Sequence, residues 1–175
     1  MKLKSKLSYE DIRRLPEGSY EVINGEVVEL VPTGFEHGEY ELDLGAFLRE
    51  KLKNKGYVAV GEVGVLISKE PLRIRSADVV YISKKRTPER PKGILDVPPE
   101  IVIEIVSPNN TYSEIEEKVF DYLSAGVDRV LIVDPKVRKA TLFEKGKREA
   151  KIYDFDEEFE LLEGLKLRLS EVLSS

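Results

Sequence analysis

Cysteine and tryptophan are absent from this 175-residue chain, and histidine and methionine occur once each. Without thiolates there can be no zinc–sulfur centre, no iron–sulfur cluster and no cysteine nucleophile, so metal chemistry falls to oxygen donors and the single imidazole of His37. Mg²⁺ or Mn²⁺ suits that donor set. Also missing is any apolar run near the ~18 residues that a membrane span requires, and the opening MKLKSKLSYEDIRRL has no apolar signal-peptide core. The expectation is a cytoplasmic protein that does not engage membranes. Net positive charge is lacking too, and the formal charge of −5 counts against a broad nucleic-acid-binding face. No repeat, linker or low-complexity tract divides the chain, so a single domain over residues 1–175 is expected.

What is present is a regular alternation of strand and helix patterns. Ser8 and Asp11 are spaced to cap a short helix through Leu15, and SYEVINGEVVEL reads as two strands turning at Asn24-Gly25. Glu21 and Glu26 beside that turn read as surface charges. From about Glu36 to Lys53, Tyr40, Leu44, Phe47, Leu48 and Leu52 recur at helical spacing. There follow a strand pair through YVAVGEVGVLIS and LRIRSADVVYI, a Pro-rich charged segment, the strand in PPEIVIEIVSP, a helix from the Ser113–Glu116 capping-box spacing to Gly126, the strand RVLIVD, a hairpin through ATLFEKGKREAKIYD and a short helix from Ser170. This order predicts an α/β domain with a central mixed β-sheet flanked by helices.

Two strands carry an anomaly. In PPEIVIEIVSP, alternation puts Ile101, Ile103 and Ile105 on one face and Val102, Glu104 and Val106 on the other. A strand apolar on both faces is covered on both, so Glu104 is expected to be buried, and a buried carboxylate needs a partner. RIRSADVVYIS repeats the pattern, with Asp78 sharing a face with Val80 and Ile82. If the strands are neighbours, the two acids converge, and like charges in a buried place call for a proton or a cation between them. On the following helix, Ile115, Val119, Tyr122 and Leu123 form the apolar stripe, and Lys118 flanks it, able to reach over the sheet.

The order of two strand-borne acids and a lysine resembles the PD-(D/E)XK phosphodiesterase superfamily, and the whole chain looks like its Uma-type branch of putative restriction endonucleases. The matching pieces are YEVINGEVVEL, the helix opened by EHGEY, SADVVYIS, PPEIVIEIVSPNN, SEIEEKVFDYLSAGV and VLIVDP, covering about residues 8 to 135. Ala77 departs from the superfamily's usual proline, and Val106 stands where its lysine follows the glutamate by two; Lys118 fits the place from which this branch draws its lysine. The resemblance implies a restriction-endonuclease-like fold and a metal-dependent endonuclease acting on DNA. Asp78, Glu104 and the Ile105 carbonyl would hold Mg²⁺ or Mn²⁺, and Lys118 would orient or deprotonate the attacking water. By analogy, a homodimer would place two sites on one duplex.

Three further features leave alternatives open. His37 lies near a helix N-terminus, which disfavours the imidazolium and suits a neutral metal ligand or base, or it is an ordinary packed or capping histidine. Glu62, between glycines in VAVGEVGV, is a further carboxylate ligand or the mark of a β-bulge. In SKKRTPERPK, Lys84, Lys85 and Arg86 form a solvated loop or a grip on a phosphate backbone. The rival function is a non-catalytic nuclease-fold binding or regulatory domain, in which Asp78, Glu104 and Lys118 form only a buried ionic cluster.

Overall fold

The computed structural model describes residues 5–174; residues 1–4 and 175, the ends of the expected domain, lie outside the described residues. Strand β1 (Tyr20–Ile23) and strand β2 (Glu26–Glu29) form the first hairpin. Asn24 and Gly25, both at positive φ, make its two-residue turn, as the Asn-Gly pair predicts. Helix α1 (Phe35–Leu52) turns Leu44, Gly45, Leu48 and Leu52 inwards. Gly45 permits close approach to the neighbouring strand, since a Cβ there would stand 2.5 Å from Val60 Cγ1. The long antiparallel pair β3 (Gly56–Lys69) and β4 (Leu72–Ser83) follows, then β5 (Ile101–Ile105), α2 (Tyr112–Ala125) and β6 (Arg129–Asp134). Strands β7 (Lys139–Glu144) and β8 (Lys151–Asp154) form the expected hairpin. The chain closes with β9 (Glu158–Leu162), β10 (Leu165–Arg168) and a short helix α3 (Leu169–Val172).

The sheet is mixed because α2 carries the chain from β5 to a parallel partner, β6, whereas the other pairings are antiparallel. Strand β5 sits between two strands and both its faces are covered, which explains its unbroken burial. On one face, Ile101, Ile103 and Ile105 join Leu44, Leu48 and Leu52 of α1 and the β9–β10 ribbon. On the other, Val102 and Val130 pack against Val119 and Tyr122 of α2. Helix α2 starts earlier than the Ser113–Glu116 spacing suggests. Thr111 accepts from the Glu114 amide at 3.2 Å while Glu114 accepts from the Thr111 amide at 2.8 Å, so the first of two overlapping capping boxes is used. Among the described residues no helix is long and apolar enough to cross a membrane.

Strand β4 is the hub of this arrangement. Strand β3 follows one edge of it from Leu72 to Ser83, interrupted by a bulge where Gly61 and Glu62 stand opposite Asp78. The other edge is divided between two strands: β1 meets it at Ile74, and β5 meets it at Val79–Tyr81. Between those neighbours, the stretch Arg75–Asp78 pairs with no strand on that edge among the described residues. Side chains fill the interval.

Candidate active site

The register Val79–Ile103 sets Asp78 opposite Glu104, at the end of β5 where the two strands part. Instead of a strand carbonyl, the Asp78 carboxylate accepts the Ile105 amide hydrogen, at 2.7 Å. Its oxygen also lies 3.3 Å from His37 Nε2, which is in turn 3.3 Å from the Ile105 carbonyl oxygen. Glu41, one helical turn after His37, reaches within 3.3 Å of its Nδ1. Strict alternation is broken here: Ala77 and Val80 both pack on the α2 side, while Asp78 engages His37 of α1.

Glu104, 8% exposed, takes the opposite direction. Tyr122 donates its hydroxyl hydrogen to Glu104 at 2.6 Å, and Lys118 Nζ lies 3.4 and 3.5 Å from the two carboxylate oxygens. Lys118 Nζ also lies 3.3 Å from Glu21 and 3.4 Å from the Ser76 carbonyl. Glu21 is therefore not the surface charge that its place beside a turn suggests. It is 4% exposed, because β1 lies against β4 and turns it inwards, where it accepts from the Ser76 amide at 3.1 Å and from Arg75 at 3.0 Å.

The charges divide accordingly. Hydrogen bonds to Asp78 and Glu41 raise His37 to about 10, outweighing both its burial and the helix N-terminus that favours the neutral ring. Set among Asp78, Glu41 and the Ile105 carbonyl, the ring thus favours its charged form as long as no metal ion lies beside it. Burial tends to raise Asp78, but His37 and the Ile105 N–H overcome it and hold Asp78 below the usual carboxylate range. Burial raises Glu104 to about 8 despite the opposing Lys118 charge. Lys118 is pressed downwards by its own burial, yet Glu104, Glu21 and Asp78 carry it to about 12.

Among the described residues, His37, Glu41 and Asp78 form the group whose donor atoms lie within 4.8 Å of one another. With the Ile105 carbonyl they offer hard oxygens and one imidazole nitrogen, Nε2, which faces Asp78 and that carbonyl, a set that fits Mg²⁺ or Mn²⁺. Of the ligands expected from the sequence, Asp78, His37 and the Ile105 carbonyl come together; Glu104 lies across from Asp78 but outside that group, and Glu41 was not foreseen. Its signal was legible as an i, i+4 neighbour of the only histidine. Glu62 belongs to the bulge facing Asp78, at a φ of 57°, and does not enter the donor group.

The basic segment lies elsewhere. Lys84 and Lys85 are exposed beyond the far end of β4, roughly 20 Å along the strand from Asp78. Arg86 is withdrawn from the expected phosphate grip, because its guanidinium is bound to Glu100, Asp128 and the Pro98 carbonyl.

The Uma2 family, described as "Putative restriction endonuclease", matches residues 8–173. The chain belongs to that family. Among solved structures, a putative nuclease belonging to DUF820 from Anabaena variabilis is similar to this chain with a TM-score of 0.78 and 17% identity, covering 95% of this chain and 97% of that one. At such identity the likeness speaks for the fold, a single α/β domain with a mixed central sheet. No curated protein matches the chain.

Proposed function

We propose that this Uma2 chain is a divalent-metal-dependent phosphodiesterase, an endonuclease acting on DNA. The observation that carries the reading is the meeting, at the parting of β4 and β5, of a donor group (His37, Glu41, Asp78, Ile105 carbonyl) with a lysine-bearing acid, Glu104. Asp78, the Ile105 carbonyl and His37 would hold Mg²⁺ or Mn²⁺, with Glu104 and Glu41 as the neighbouring carboxylates. Such an ion, when bound, supplies Lewis-acid polarisation of the phosphodiester and a bound water of lowered pKa. The protein's own part is geometric and electrostatic. The Ile105 N–H fixes the Asp78 carboxylate, Tyr122 fixes that of Glu104, and the apolar walls exclude bulk water. Lys118, held protonated, presents a positive charge to the developing negative charge on phosphate and can orient the attacking water.

Lys84 and Lys85 are proposed as contacts to backbone phosphates away from the scissile one, and two copies on one duplex as the cleaving assembly. The deciding experiment measures Mn²⁺-dependent plasmid nicking together with Mn²⁺-induced thermal stabilisation, in wild type, Asp78→Asn and Glu104→Gln. The wild type should nick and be stabilised, and each variant should lose both. Equal thermal shifts in all three proteins sink the metal assignment. A non-catalytic binding or regulatory domain is the second reading. It draws on the fact that Lys118 already has Glu21, Glu104 and Ser76 as partners, so its charge is compensated without substrate. Metal-independent DNA binding with no nicking would select it.

A further inference from the structure

We infer that Glu21 is the positioning residue for Lys118, setting its ammonium at the site. This role rests on the nuclease reading above. An ammonium has three N–H donors, and three acceptors surround Lys118 Nζ: Glu21 Oε1 at 3.3 Å, the Ser76 carbonyl at 3.4 Å and the Glu104 carboxylate at 3.4 Å. Ser76 belongs to the backbone and Glu104 to the proposed metal-binding edge, so Glu21 is the fixed counter-charge that the reaction does not use. Its own position is set from two sides. Oε1 accepts the Ser76 amide hydrogen, and Oε2 faces Arg75 Nη1 at 3.0 Å. Arg75 is in turn anchored by Asp121 of α2, 2.6 Å from its Nε. The helix that carries Lys118 is thus tied to β4 and β1 around the same carboxylate.

A carboxylate needed only to neutralise Arg75 would have no reason to reach Lys118, because Asp121 and Glu117 already face that guanidinium. What Glu21 does instead is occupy the unpaired edge of β4. There Ser76 gives its N–H to Glu21 and its carbonyl to Lys118, so backbone, acid and lysine close a ring of contacts. A lysine side chain has large rotamer freedom to lose, and this ring of contacts fixes its ammonium in one place.

The test compares Glu21→Gln, Glu21→Asp and the wild type by three measurements. They are Mn²⁺-dependent nicking at saturating metal, Mn²⁺ affinity, and the rate at which an amine-reactive ester acylates Lys118, read by peptide mass spectrometry. Glu21→Gln should nick roughly 10- to 100-fold more slowly, the scale of losing an orienting partner, with Mn²⁺ affinity within about twofold of wild type. Acylation of Lys118 should be about tenfold faster or more, because the freed side chain reaches solvent and loses a counter-charge. In a Lys118→Met background the same change should cost no further rate. Glu21→Asp, which keeps the charge one methylene shorter, should recover part of the nicking rate, and it carries the test if Glu21→Gln does not fold. Wild-type nicking or unchanged Lys118 acylation in the folded variants overturns the positioning role while leaving an active nuclease. A wild type that binds no Mn²⁺ and nicks nothing overturns the nuclease reading, and the positioning role with it.

Discussion

On the α1 side of β4, two carboxylates and a carbonyl surround one imidazole; on the α2 side, two carboxylates and a backbone carbonyl surround one ammonium, and a tyrosine hydroxyl donates to one of those carboxylates. In the first group Asp78 and Glu41 favour a proton on His37, the place at which the proposed metal ion would compete. The second holds its positive charge on a lysine that stays charged throughout the accessible pH range. Asp78 borders both, touching His37 directly and Lys118 through space. One side of the strand gathers acceptors around a titratable ring and the other around a lysine, two features on which the proposed phosphodiesterase would draw.

The largest effect should come from the residue common to the two sides. Asp78→Ala removes the partner of His37 and the acceptor of the Ile105 N–H, so Mn²⁺ should no longer raise the melting temperature, and nicking should fall by a factor of roughly a hundred or more. Next, Lys118→Met should separate the sides. Nicking should drop about a hundredfold while Mn²⁺ still binds, which parallel nicking assays and calorimetry will read. The same change leaves buried acids without their counter-charge and should cost about 3 to 5 kcal/mol. That cost should be smaller at pH 5, where Glu104 takes up a proton, than at pH 9.

Acidity sharpens the contrast further. Glu104 titrates near 8 in the folded protein against an ordinary 4.5, so its contribution to stability is full below 4.5 and is lost as pH rises through 8. His37, raised to about 10 from 6.5, contributes fully below 6.5 and loses that contribution as pH rises through 10. Without metal, melting temperature should therefore fall from pH 5 to pH 10, and Glu104→Gln should flatten the lower part of the fall. Mn²⁺ affinity should rise over the same interval, because the metal displaces these protons. The smallest effect belongs to the distant loop. Replacing Lys84 and Lys85 by serine should reduce the salt slope of DNA binding by about two at most, leaving melting and Mn²⁺ binding unchanged. Arg86→Ser should instead lower the melting temperature, since it strips Glu100 and Asp128 of their partner.

Much of this site could be read from the chain because a strand buried on both faces makes a single acid conspicuous. Glu104 and Asp78 stand out against valines and isoleucines, and Lys118 follows from helical spacing. Glu21 could not be found that way. Its burial depends on β1 lying against β4, a long-range pairing that alternation within YEVI does not encode. Tyr122 was legible as part of the apolar stripe, but the aim of its hydroxyl depends on the register of α2 over β5. The surroundings of His37 were hidden for a similar reason: the helix N-terminus is a local influence, whereas Asp78 arrives from another strand. Local spacing located the candidate ligands on their elements, and tertiary contacts brought them together.

The interrupted edge of β4 has a bearing on how the sheet breathes. At Ser76 and Ile105 the amide hydrogens are kept from solvent by the carboxylates of Glu21 and Asp78, not by a neighbouring strand. Deuterium uptake at those two amides is therefore governed by side-chain placement, and it can quicken without unfolding the ladders on either side. Ser76 reports on the half that holds Lys118 and Ile105 on the half around His37, so the backbone carries two built-in gauges of whether each part of the site is assembled.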